Sequence, residues 1–128
     1  MRRSTLTLET AFGAYAIEIE IPESVAEQQT GLKHRARVPE GTGMLFLYDA
    51  GQEVRMWMKD THVSLDMVFI KPDGRVHRIE TRTEPLSRSV VASQGDVLAV
   101  LELAAGSAEQ LGLRPGDRAI HPAFRGDS

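Results

Sequence analysis

The stretch Tyr15-Ala16-Ile17-Glu18-Ile19-Glu20-Ile21 decides how the chain is read. Its large apolar residues fall on odd positions and its glutamates on even ones, the period of a strand with one wet face. Upstream, Leu6 and Leu8 repeat the alternation, and Gly13 lies between the two runs, so a hairpin partner is expected there. Downstream, Pro22 ends the strand. Ser24-Val25-Ala26-Glu27 then has capping-box spacing, which predicts a helix of about two turns reaching Gly31-Leu32.

Further along, Met44 to Tyr48 is apolar at every position, so a strand covered on both sides is expected. Val54 to Lys59 reads as the next strand. Leu65 to Lys71 and Arg75 to Glu80 read as a hairpin around Pro72-Asp73-Gly74. Thr81 to Gln94 is polar and contains Pro85, the pattern of a long mobile loop. Val97 to Leu103 should be a central strand, Ser107 to Leu111 a helical turn closed by Gly112, and Arg118 to His121 a last strand after Pro115-Gly116-Asp117. About eight strands and one or two short helices predict a mainly β (α+β) fold: a small barrel or two packed, mostly antiparallel sheets. With 128 residues and no linker or repeat, one domain over residues 1–128 is expected.

Composition narrows the function. The formal net charge is −3, from 15 basic and 18 acidic side chains, so no basic footprint for nucleic acid or a membrane surface is expected. There is no cysteine, which excludes disulfides, thiolate nucleophiles and Cys-ligated metals. No apolar run approaches the roughly 20 residues of a membrane helix. Met1-Arg2-Arg3-Ser4 has the charge of a signal peptide but no apolar stretch behind it. A soluble, cytoplasmic chain is expected as given, and a cell-envelope location only if a leader was trimmed. No G-x-S-x-G elbow, phosphate loop or dinucleotide fingerprint is present, and His34, His62, His77 and His121 lack the close spacing of a zinc site. No cofactor or metal is expected.

Several segments together resemble a family. They are Gly31-Leu32, Gly43-Met44-Leu45-Phe46, Trp57-Met58-Lys59-Asp60-Thr61, Leu65 to Ile70, Asp73-Gly74, Val100-Leu101-Glu102, Ala105-Gly106 and Gly116-Asp117. Their order and spacing resemble the bacterial and archaeal family called domain of unknown function 192, or uncharacterised protein family 0127, from about Ile17 to His121. The chain departs from the family's usual residues at Lys33, at Met56 and Asp60, and at Val63-Ser64. The resemblance implies a compact β-rich fold and no established activity. Many relatives carry an N-terminal signal or anchor.

Three readings of the polar residues follow. If 54–59 is a strand, Arg55, Trp57 and Lys59 form a stripe of one flat ring between two cations, suited to an anionic or sugar-like ligand. The same stripe also fits an aromatic ring packed beneath two charged stems. Asp66 and Glu102 interrupt apolar strands, where an unpaired charge is costly. They could be an acid and base, or a structural clamp, with Asp66 held near Thr61 and Lys59 as a partner. Met44, Met56, Met58 and Met67 with His62 raise a copper(I) site against the plainer reading of core filler. The leading expectation is a non-enzymatic module binding a small molecule, sugar or peptide in a cleft near Arg55, Trp57, Lys59, Thr61, Asp66 and Glu102, bordered by the 81–94 loop. The alternatives are a hydrolase-like enzyme using Asp66 and Glu102, and a structural or protein-interaction domain.

Overall fold

The computed structural model describes residues 1–124. Its strands are β1 (Arg2–Thr10), β2 (Gly13–Ile21), β3 (Thr42–Met56), β4 (Leu65–Ile70), β5 (Val76–Glu80), β6 (Val91–Ala104) and β7 (Arg118–Ile120). Two short helices, α1 (Val25–Thr30) and α2 (Ser107–Leu111), complete the elements. The strands form one curled sheet in the order β5-β4-β6-β3-β2-β1-β7. Among the described strands, only β2 and β3 pair in parallel. At one end the two edges meet. Arg75 bridges Arg118, and the Val76 amide donates to the Asp117 carbonyl at 2.8 Å. Closure requires Gly74: its φ is +91°, and a Cβ there would lie 2.6 Å from the Ala119 carbonyl oxygen.

The sheet thus forms a curled half-barrel, closer to the barrel expectation than to two packed sheets, and antiparallel pairing dominates. The helix starts as its capping box dictates: Ser24 Oγ accepts from the Glu27 amide, and the Glu27 carboxylate accepts from the Ser24 amide. One expectation is corrected. The two strands anticipated at 44–48 and 54–59 are a single strand, β3, irregular between Leu47 and Gln52 and again between Glu53 and Arg55. Asp49-Ala50-Gly51 looks like a break, but β6 runs alongside and the extra residues are absorbed as bulges. The strand ends at Met56, so Trp57 and Lys59 stand in the following connection rather than on a strand face. The 81–94 loop is shorter than anticipated because β6 begins at Val91. It is also strapped down: the Thr83 amide donates to the Leu65 carbonyl, and the Met58 amide to the Ser87 carbonyl.

Around β4 both faces of the sheet are covered, which explains why all six of its residues are buried. Inside the curl, Val68 and Ile70 pack with Leu6, Leu8, Ile17, Leu45 and Leu101. Outside, Leu65, Met67 and Phe69 pack with Met44, Phe46 and Val100, under Leu32 from the segment after α1 and Met58 from the connection after β3. Met58 is 1% exposed, so its burial contributes about 2 kcal/mol to holding that connection down. The outer cover leaves a gap above Glu102.

Candidate functional site

Glu102 lies on β6 with Met44 of β3 and Met67 of β4 directly opposite it on either side. Those neighbours share its face, the outer one, and neither thioether can donate a hydrogen bond. The side chain is 5% exposed. Among the described residues no side chain or amide donates to it and no cation pairs with it, and its oxygens open toward the cleft rather than being fully enclosed. Burial therefore pushes its carboxyl group up to about 7 from an ordinary 4.5.

Above it opens a cleft of about 390 Å³. One wall is the end of α1 and the residues after it, Gln28 to Lys33; the other is Phe46, Tyr48, Arg55, Met56 and Trp57, with Thr61 also lining it. Gly31 makes this approach feasible. Its φ is +48°, and a Cβ there would sit 3.1 Å from the Phe46 ring. The Tyr48 hydroxyl donates to Met56 Sδ at 3.7 Å. Burial and the nearby Glu102 both raise the Tyr48 phenol. Trp57 is 46% exposed, so its ring is half free at the rim, and Lys59 Nζ lies 5.3 Å from its centre.

Four of the six residues expected at the site, Arg55, Trp57, Thr61 and Glu102, line this cleft. Lys59 touches it only through the Trp57 ring. Asp66 is elsewhere. It neighbours Met67 along β4, so it points to the inner face. There it is fully buried and accepts the Arg82 and Ala108 amides, each at 2.9 Å. Helix α2 has no side-chain cap of its own, and Asp66 serves as a remote one. It thus ties the 81–90 connection and α2 to β4. Asp66 and Glu102 stand on opposite faces of the sheet, and the acid–base pairing has no shared space to act in.

The cleft is bordered by α1 and the 31–33 segment, not by the 81–94 loop. Among the residues that sequence reasoning missed, Gln28, Gln29, Thr30, Lys33 and Tyr48 carry polar chemistry. The Gly31-Leu32 motif was the available signal, since it marks where α1 must approach the sheet. The methionines divide. Met44 and Met67 flank Glu102, while buried Met58 accepts the Thr83 hydroxyl at 3.2 Å. His62 is exposed beside His34, their ring centres 6.3 Å apart. No described helix is long and apolar enough to cross a membrane.

The family model DUF192, described as Uncharacterized ACR, matches residues 7–121. Two solved structures are similar. A Sinorhizobium meliloti protein, provisionally described as a transcription regulator, is 34% identical with a TM-score of 0.92 over 96% of each chain. A Novosphingobium aromaticivorans protein of unknown function is 31% identical with a TM-score of 0.89, over 93% of this chain and 85% of that one. No curated protein matches significantly. The chain belongs to the DUF192 family, and the matched span begins in β1, ahead of the Ile17 anticipated from the motifs.

Proposed function

We propose that this member of the DUF192 family is a small-ligand-binding module whose site is the Glu102 cleft. The observation that carries the reading is the buried carboxyl group of Glu102, left without a partner at the floor of an open cleft. A lone buried carboxyl group weakens a fold, and apolar residues would pack the position better. A ligand bearing a hydroxyl or amine donor would supply the missing hydrogen bond. Trp57 offers a flat half-exposed ring for the ligand's apolar face, as sugars and other compact polyols require. Arg55 and Lys33 add positive charge among the lining residues. The cleft holds one acidic side chain, Glu102, so a scheme needing two carboxyl groups has less support than binding.

Thermal-shift screening tests this, because a ligand that prefers the folded protein must raise its melting temperature. Panels of monosaccharides, other polyols and small amines would be run on the wild type, Glu102→Leu and Trp57→Ala. We expect at least one panel to stabilise the wild type and to lose that effect in both variants. Stabilisation by no panel, or equal stabilisation of all three proteins, would sink the reading.

A further inference from the structure

A second opening lies on the far side of β2, and it has an edge. Strand β2 pairs with β1 along its whole length, from Gly13 to Ile21. On its other side it meets β3 only at Glu18, Ile19 and Glu20. The Glu18 amide donates across to the Gly41 carbonyl at 2.9 Å, which fixes the direction of alternate residues. Ala14 and Ala16 share that direction. Their N–H and C=O groups therefore point away from β1, and among the described residues nothing pairs with them. Both residues are exposed, and their methyl groups leave the approach open. Sheet edges of this kind are normally blunted by Lys, Pro or a covering element.

Beside the edge runs a groove of about 520 Å³. Its apolar lining includes Ile17, Leu103 and Leu111, the first two belonging to the core inside the curl. Helix α2 forms the opposite wall. Glu40 is the one charged residue lining it. We propose that the open edge of β2 docks an extended peptide segment of a partner protein by strand addition. The occupant follows from the geometry. Unpaired donors and acceptors recur every second residue, roughly 7 Å apart, the repeat of another strand. An apolar side chain of that strand would enter the groove, as pockets beside augmented edges require. Glu40 calls for a basic residue on the incoming segment. This surface is independent of the Glu102 cleft.

The test uses NMR-monitored titration of the whole protein with the peptide acetyl-Lys-Val-Thr-Val-Thr-amide. Two further versions carry N-methyl groups on one or the other alternate set of backbone amides. The parent peptide is expected to shift the Ala14 and Ala16 amide signals and to slow their hydrogen exchange by about tenfold at saturation. Only one methylated version should bind like the parent; the other should lose binding, because strand pairing uses one alternate set. Equal binding of both versions, failure of both, or no change at Ala14 and Ala16 would overturn the proposal. So would sedimentation showing that the free protein dimerises with those two amides already protected, because the occupant would then be a second copy.

Discussion

Asp66 and Glu102 are both buried acidic side chains on neighbouring central strands, and the fold treats them oppositely. Asp66 faces inward and meets two backbone amides at 2.9 Å. Glu102 faces outward between two methionines and meets none. An acid needed by the architecture is given donors by the chain itself. An acid left without them is the ground for the proposed ligand site. Burial alone therefore says little about role, whereas the hydrogen-bond partners distinguish the two acids.

The largest effect of a substitution should come from the clamp. Asp66→Ala orphans the buried Ala108 amide and a part-buried Arg82 amide, so denaturant unfolding should show a loss of roughly 2–3 kcal/mol. A loss below about 1 kcal/mol would erase the distinction between the two acids. Next comes Glu102, through pH. Its folded value near 7 lies above the ordinary 4.5, so the folded state holds a proton that the unfolded chain releases. Wild-type stability should be intact below pH 4.5 and fall as the pH rises to about 7, by roughly 3 kcal/mol. Glu102→Gln should remove that fall, and parallel pH–stability curves for the two proteins would contradict it. Trp57→Ala should cost about 1 kcal/mol or less, since the ring is half in water, while removing ligand stabilisation in the cleft. A melting temperature many degrees lower would make Trp57 a packing residue. Smallest is Arg82→Ala. Its exposed ion pair with Glu109 at 3.2 Å is worth under about 0.5 kcal/mol, and Asp66 uses only its backbone amide. A larger loss would mean the clamp needs the side chain too.

Much of this was legible in the residues. Alternation in 15–21, the capping box at Ser24 and the helix stop at Gly112 act locally, and each element formed where its signal stands. The oddity of Asp66 and Glu102 was equally visible, since both interrupt apolar runs. Their separation was not. Which face a residue takes depends on strand register, and β4 and β6 are set against each other by contacts distant in sequence. The Arg55–Trp57–Lys59 stripe was misread for a related reason. Nothing local marks Met56 as a strand's last residue; β3 stops there because its partner β6 starts at Val91. The wall after α1 was the least legible part, because the seating of Gly31 and Leu32 against Phe46 is a tertiary event.

The seam between β1 and β7 has a bearing on how the molecule is made. Thr7, Leu8 and Glu9 pair with Ile120, Ala119 and Arg118, so β1 takes an edge partner that is synthesised long after it. On the ribosome, at about 5–20 residues per second, β1 waits several seconds with that edge bare. The β1–β2 hairpin can form early, but the Leu6 and Leu8 layer cannot be sealed until β7 has emerged. Assembly is thus gated by the arrival of three short residues, Arg118–Ile120, and the nascent chain is most open to mispairing during that interval.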